Sequence, residues 1–234
     1  MPTGRGGPQR IPRPPDARLG GAAPWSHIPE SERVVALDRL EDALVRRRPR
    51  TLGAVPHEPR QSAVLAVLYE EDGEPHVVLT RRSPRLRSHA HEVAFPGGRH
   101  DDDDADLWST AVREAIEEVD LDPTAVRPIG SLDSFMTVGS STLVHPFVAV
   151  ADRRPELTPS PDEVESIRHV PLRELLLDEV FREEVWPLRH FGEPRAITFF
   201  EIADDTIWGA TGAMLRQLLA IATGSDDRIR GGPG

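Results

Sequence analysis

Residues 98–121 read GRHDDDDADLWSTAVREAIEEVDL, and this stretch contains the strongest helix signal of the chain. The helix is predicted over residues 105–120. At about 100° per residue, Glu114, Glu117 and Glu118 lie within roughly one third of its circumference. The opposite side collects the apolar residues Trp108, Val112, Ala115, Ile116 and Val119. The stretch therefore predicts a helix whose apolar face is buried in a domain and whose other face carries three carboxylates.

The three glutamates repel one another, because like charges at helical spacing cost a few tenths of a kcal/mol per pair. A divalent cation would remove this repulsion, and oxygen ligands of this kind suit Mg2+ or Mn2+. The alternative is a solvated acidic face, which an isolated E-x-x-E-E pattern favours. Two upstream features favour the metal: a sharp turn that can aim the Gly98 carbonyl at a cation, and a further carboxylate at Asp104. Arg113 is placed to orient Glu114 or to contact a phosphate.

Composition limits the classes of function. The chain has 234 residues and 38% hydrophobic content, which suffices for one domain with a core. It has no cysteine, which excludes disulfides, thiolate metal sites and cysteine nucleophiles. A net charge of -11 argues against non-specific nucleic-acid binding.

Location and partners are predicted from what the chain lacks. The arginine-containing N-terminus has no apolar stretch typical of a secretory signal, and the apolar run at residues 63–69 is too short to span a membrane. We therefore expect a cytoplasmic protein with a small-molecule substrate and with neither a nucleic-acid nor a membrane partner. The sequence does not decide whether the protein forms a homodimer.

Three segments are predicted along the chain. Residues 1–28 are rich in proline, glycine and arginine and are predicted to be a disordered leader, residues 29–223 a single domain, and residues 224–234 a flexible tail. Helices are predicted over residues 31–47, 105–120, 172–177 and 206–222, and strands over residues 62–69, 76–81, 126–134, 143–150 and 196–202. Such interleaving predicts an α/β domain with one sheet sandwiched between helices.

The segment from Gly98 to Leu121 resembles the Nudix box, G-x5-E-x7-R-E-U-x-E-E-x-G-U, where U is an aliphatic residue. The R-E-x-x-E-E core is intact from Arg113 to Glu118, and Asp104 stands at the first acidic position with one additional residue after it. Asp120 replaces the late glycine, and aspartate tolerates the left-handed conformation that ends helices. The resemblance implies a Nudix-type α/β/α sandwich with a mixed sheet. It also implies hydrolysis of a substituted nucleoside diphosphate with Mg2+ or Mn2+ held by the box glutamates.

Residues 79–98, LTRRSPRLRSHAHEVAFPGG, resemble the signature of coenzyme A pyrophosphatases, L-L-T-x-R-[SA]-x3-R-x3-G-x3-F-P-G-G. His91 stands where that signature has glycine. The resemblance implies substrate contacts from Arg82, Arg85, Arg87 and Phe95, and arginine forks suit the phosphates of coenzyme A. For each arginine, exposure to solvent or pairing with a nearby aspartate is an equally weighted alternative.

Two residues are candidates for the general base. Glu163 precedes the segment His169-Val170-Pro171-Leu172, and Nudix enzymes often carry a glutamate before a V-P-L-type segment. An ordinary exposed loop acid is the alternative reading of Glu163. Glu114, oriented by Arg113, is the second candidate, and the sequence does not decide between them.

The predicted reaction is hydrolysis of the coenzyme A diphosphate to 3',5'-ADP and 4'-phosphopantetheine. One alternative is another substrate, such as a nucleotide sugar, a dinucleotide polyphosphate or NADH. His91 keeps this alternative open, because a side chain replaces a glycine that would permit a special backbone conformation or close substrate approach. The other alternative is a non-catalytic Nudix-fold module that senses a nucleotide.

Overall fold

The computed structural model describes residues 4–7, 9–51, 59–86, 88–137, 142–187 and 193–225. The α-helices are α1 (Leu37–Arg46), α2 (Leu107–Val119), α3 (Leu172–Leu175) and α4 (Gly209–Ala222), and two 3-10 helices cover Glu30–Glu32 and Pro123–Ala125. The strands are β1 (Arg18–Leu19), β2 (Arg60–Glu71), β3 (Glu74–Arg82), β4 (Val93–Ala94), β5 (Gly97–Arg99), β6 (Val126–Ser131), β7 (Phe135–Met136), β8 (Thr142–Ala151), β9 (Val164–Pro171), β10 (Phe181–Trp186), β11 (Arg195–Ile202) and β12 (Asp205–Trp208). Within these described residues, no helix is both long and apolar enough to cross a membrane.

The first sheet is mixed, as the sequence predicts. Its strands follow the order β4-β3-β2-β8-β6, with β9 paired to β3, β5 paired to β2 and β7 paired to β8. Only the β2–β8 pair among these is parallel. Asp72 and Gly73 both have positive φ angles (52° and 77°) and connect β2 to β3, so they form the tight hairpin turn that this residue pair favours.

Helices cover both faces of this sheet, which confirms the predicted layered α/β fold. On one face, α2 contributes Ala111, Ala115 and Val119 to a core shared with Leu65 and Val67 of β2. On the other face, α1 and α4 contribute to a larger core, whose members include Leu40, Leu44, Leu68, Leu79, Leu215 and Leu218. Because α2 packs through its apolar face, its acidic face is left for chemistry.

A second sheet makes the predicted single-sheet arrangement incomplete. It is antiparallel in the order β1-β10-β11-β12. The sequence predicts no element over β10, whose sequence FREEVW contains two adjacent glutamates. Glu183 and Glu184 are nevertheless only 5% and 4% exposed. Residues 206–208, predicted to start the last helix, belong to β12 instead.

Residues 1–28 are predicted to be a disordered leader, and the structure packs the described part of this segment against the second sheet. β1 pairs with β10, and Trp25 is fully buried between Phe181 and Phe200, at ring-centroid distances of 5.5 and 6.4 Å. Arg13 Nε donates to Glu184 Oε2 at 2.8 Å. Composition alone did not reveal this order because the partners lie more than 150 residues away. In the predicted tail, residues 226–234 lie outside the described residues.

Candidate metal and substrate site

The two ends of α2 fix its position next to β5. Asp106 caps the N-terminus, where its carboxylate accepts a hydrogen bond from Ser109 N at 2.7 Å. Asp120 ends the helix in the left-handed conformation (φ 55°), as its place in the box predicts. Ile116, predicted on the apolar face, is 39% exposed. The other apolar positions hold the helix so that its glutamates face β5 and β3.

Glu118 is the most buried carboxylate of the box, with 3% exposure. Its Oε2 accepts a hydrogen bond from Gly97 N at 3.3 Å, and Arg82 Nη1 lies 3.6 Å from its Oε1. Burial raises the pKa of Glu118 to about 7, although the Arg82 charge opposes the shift. These contacts satisfy only part of what a buried carboxylate needs, so a cation at this position would stabilise it.

Glu114 and Glu117 are both held by one guanidinium. Arg113 Nη1 donates to Glu114 Oε1 at 3.0 Å and to Glu117 Oε2 at 3.2 Å. Burial also raises the pKa of Glu114, although Arg113 opposes the shift. A Cβ atom at residue 98 would overlap the Glu114 carboxylate, so a side chain there would displace this carboxylate from its position beside β5.

Asp104 holds Arg113 in place. Arg113 Nε donates to Asp104 Oδ1 at 2.9 Å and Arg113 Nη2 donates to Oδ2 at 3.1 Å. These hydrogen bonds hold the pKa of Asp104 well below its usual range. Thr110 Oγ1 and Asp101 N also donate to Asp104 Oδ2. The predicted metal-ligand role of Asp104 therefore competes with a two-point ion pair to Arg113.

The Gly98 carbonyl and Glu163 complete the predicted site. Gly98 O accepts a hydrogen bond from Ser62 Oγ at 2.6 Å, a contact for which the sequence holds no local signal, and Gly98 pairs with Ala63 in the β2–β5 ladder. Ser160 N donates to Glu118 O at 2.8 Å, which brings the loop that contains Glu163 against α2. The Glu163 side chain is exposed, and its charge adds to the effect of burial in raising the pKa of Glu118.

The predicted substrate residues separate into three kinds. Arg82 is partly buried beside Glu118, whereas the Arg85 side chain is 73% exposed with only a 3.4 Å contact to Asp162. Phe95, predicted as a substrate contact, is 3% exposed and packs in the apolar core. Arg87 lies outside the described residues.

His91 adopts the left-handed backbone conformation, with φ 62°. This is a conformation that glycine adopts at little cost and that other residues adopt rarely. The glycine of the signature is therefore explained at this position by the backbone turn. The imidazole Nδ1 lies 3.1 Å from Glu165 Oε2.

The donor set suits a hard divalent cation, although its carboxylates do not converge. Among the described residues, no group of three or more histidine, aspartate or glutamate side chains is arranged to hold a metal ion. Arg113 Nη1 binds the Glu114 and Glu117 carboxylates in place of a cation. The buried and incompletely neutralised Glu118 nevertheless offers an oxygen ligand of the kind that Mg2+ or Mn2+ prefers. Metal binding would require side-chain rotation of Glu114 and Glu117.

Comparison with protein families matches the NUDIX domain to residues 59–190. The chain belongs to the NUDIX domain family. The matched range contains every glutamate discussed above, together with Arg82 and Arg113. The N-terminal segment, most of the second sheet and α4 lie outside the matched range.

Related NUDIX proteins cover most of this chain. It is 36% identical over 165 residues to Nudix hydrolase 15, mitochondrial, of Arabidopsis thaliana, which corresponds to 68% of this chain and 57% of that protein. It is 36% identical over 159 residues to the uncharacterized Nudix hydrolase NudL of Klebsiella pneumoniae, 68% of this chain and 81% of that protein. The match therefore spans little more than half of the Arabidopsis relative.

Among solved structures, a NUDIX hydrolase from Alicyclobacillus acidocaldarius aligns with a TM-score of 0.49 and 19% identity. The alignment covers 76% of this chain and 100% of that one.

Proposed function

We propose that this NUDIX protein is a metal-dependent pyrophosphohydrolase that cleaves the diphosphate of coenzyme A or its derivatives to 3',5'-ADP and 4'-phosphopantetheine. The observation that carries the proposal is the contact between Glu118 and Arg82, at 3.6 Å. Glu118 belongs to the R-E-x-x-E-E helix, and Arg82 belongs to the segment that resembles the coenzyme A signature. The contact brings a metal-binding carboxylate and a phosphate-binding cation to one place.

In the proposed reaction, Glu114, Glu117, Glu118 and the Gly98 carbonyl would hold Mg2+ or Mn2+. A cation bound there would supply positive charge against the phosphates and would favour deprotonation of an attacking water. Glu114 accepts the proton in one version of the mechanism, and burial suits it to this role by raising its pKa. The exposed Glu163 is the alternative base. Asp104 fixes Arg113, and Arg113 orients Glu114.

Arg82 and the conformation of His91 support a coenzyme A-type substrate. The Arg82 side chain is 27% exposed although its Nε is buried, so the accessible part of the guanidinium can donate to a phosphate oxygen. The exposed Arg85 offers a second cation for a substrate that carries a diphosphate and a separate 3'-phosphate. His91 keeps the backbone conformation that favours glycine, so the substitution preserves the turn in this segment.

The test is product analysis with the purified full-length protein. Coenzyme A, a nucleotide sugar, a dinucleotide polyphosphate and NADH are incubated separately with Mg2+ or Mn2+, and with a chelator as control. Metal-dependent formation of 3',5'-ADP from coenzyme A, faster than turnover of the other compounds, is the expected result. Turnover of another compound alone would overturn the substrate assignment. Nucleotide binding without turnover, with either metal, would mean that the protein is a nucleotide-sensing module and not an enzyme.

A further inference from the structure

One residue of the N-terminal segment touches the loop that connects β3 to β4. This loop, residues 83–92, is called the substrate loop here, and all of it except residue 87 is described. We propose that Gln9 is a positioning residue that acts through His91 to hold the substrate loop in the shape that binds the substrate. The inference rests on the proposed function, and it assigns a role in substrate binding to a segment outside the matched NUDIX range.

Both the nitrogen and the oxygen of the Gln9 carboxamide form hydrogen bonds. Its Nε2 donates to His91 O at 3.1 Å and to Asp205 Oδ1 at 2.9 Å. Its Oε1 accepts a hydrogen bond from Thr206 N at 3.2 Å. Only a carboxamide side chain supplies two N–H donors and an acceptor in this arrangement. The single Gln9 side chain therefore joins the substrate loop to β12.

Asp205 anchors the Gln9 side chain. It is fully buried, and Arg81 Nε donates to its Oδ1 at 2.8 Å. Arg168 Nη2 lies 2.8 Å from its Oδ2. These two arginines belong to β3 and β9 of the first sheet, so Asp205 ties β12 of the second sheet to the first. The orientation of the Gln9 amide is set by groups that are themselves held rigidly.

His91 has a strained backbone conformation within the substrate loop, so a hydrogen bond from outside the loop helps to hold it. A non-glycine residue with φ 62° is strained and persists where surrounding contacts enforce it. His91 N donates to Arg82 O at 3.1 Å, and Arg82 N donates to Glu92 O at 2.9 Å. Gln9 holds the carbonyl of the same residue from the other side. A continuous set of hydrogen bonds thus runs from Gln9 through His91 to the backbone of Arg82.

The three hydrogen bonds of Gln9 go to His91, Asp205 and Thr206, away from the α2 carboxylates, so its effect is expected on substrate binding. Gln9→Met keeps a similar shape and removes all three hydrogen bonds. We expect KM for the best substrate to rise about five- to tenfold, as for the loss of one or two net hydrogen bonds. We expect kcat to stay within about twofold. Arg10→Met, at the exposed neighbouring residue, is the matched control and should leave both constants unchanged.

A double-mutant cycle separates positioning from general destabilisation. In a His91→Gly background, glycine adopts the positive φ angle at little cost, so Gln9→Met should raise KM less than about twofold. An equal rise in both backgrounds would overturn the role through His91. A fall in kcat without a change in KM would also overturn it.

Hydrogen exchange of the full-length protein tests the same idea without turnover. The amides of the substrate loop should exchange faster in Gln9→Met than in the wild type, while those of α2 stay unchanged. Unchanged exchange in the substrate loop would overturn the inference whether or not the protein is active. If instead the wild type turns over no compound but the exchange result holds, the proposed function fails and the Gln9 bridge stands.

Discussion

The acidic helix α2 and the N-terminal segment, residues 4–7 and 9–28, are both fixed by charged side chains, but at different distances along the chain. In α2, the Asp106 carboxylate accepts a hydrogen bond from Ser109 N, three residues later, and Arg113 donates to Glu117, four residues later. In the N-terminal segment, Arg13 pairs with Glu184 across 171 residues. Short spacings can be recognised in a sequence, whereas a partner 171 residues away cannot.

The two regions also differ in what their charges do. On α2, the carboxylates of Glu114 and Glu118 keep raised pKa values because burial exceeds the help from Arg113 and Arg82. In the second sheet, Glu184 accepts hydrogen bonds from both Arg13 and Trp186 Nε1. Buried carboxylates that are only partly satisfied are typical of functional sites, and well-satisfied ones are typical of structural contacts. The difference predicts that substitutions of Glu114 and Glu118 affect turnover, whereas substitutions of Arg13 and Glu184 affect stability.

The largest effect is expected from Glu118→Gln. Loss of this carboxylate removes a predicted metal ligand, so kcat/KM should fall by roughly a thousandfold. The free energy of unfolding should change by less than about 1 kcal/mol, because the amide keeps the shape and can still accept from Gly97 N. Steady-state kinetics and urea unfolding measure the two quantities. Glu70→Gln, at an exposed residue of β2, is the control, and near-wild-type turnover in Glu118→Gln would refute the site.

Trp25→Ala should have the converse effect. Trp25 is fully buried against Phe181 and Phe200, so its truncation should lower the free energy of unfolding by about 3–5 kcal/mol. Leu19→Ala, at a side chain that is 82% exposed, should cost less than about 0.5 kcal/mol. Chemical denaturation distinguishes them. Equal, small effects of both substitutions would mean that the segment is not packed in solution.

The predictable part of the fold is the part with local signals. The carboxylate stripe of α2, the Asp72-Gly73 turn and the layered α/β fold follow from spacings of a few residues, and the mixed sheet was implied by the resemblance to the Nudix family. The position of Glu163 near Glu118 followed from resemblance to the family, and the hydrogen bond from Ser160 N to Glu118 O supplies its physical basis. Residue type and spacing are sufficient wherever a motif determines its own geometry.

The rest could not be predicted because its determinants are far apart in sequence. Pro and Gly in the N-terminal segment indicate weak local preferences, but Trp25 acquires its partners from β10 and β11. Phe95 was assigned to substrate because of its place in a signature, and only the packed structure shows that its ring is in the core. Gln9 carried no sequence signal, since its three hydrogen bonds go to residues 82 or more positions away.

The contact between Tyr69 and His169, which are 100 residues apart, can be tested through the pH dependence of stability. Tyr69 Oη lies 2.7 Å from His169 Nδ1, across 100 residues, and burial lowers the pKa of His169 to about 4. The unfolded chain therefore takes up a proton on this residue before the folded protein does, and stability is lost as pH falls from 6.5 toward 4. Between pH 7 and 5, wild type should lose about 1–2 kcal/mol more than His169→Gln. His27→Gln, at an exposed histidine, should lose as much as wild type, and identical losses in all three proteins would contradict the prediction.

The smallest effect is expected at the N-terminus of α2. Asp106→Ala removes the acceptor for Ser109 N, so the melting temperature should fall by a few degrees, while Asp106→Ser should restore most of it because serine also caps helices. Differential scanning calorimetry measures the two variants. Because α2 is held mainly by its apolar face, Asp106→Ala should lower the melting temperature less than Trp25→Ala does. A larger loss at Asp106 would reverse the comparison, since a sequence-local hydrogen bond would then stabilise the fold more than packing between remote segments.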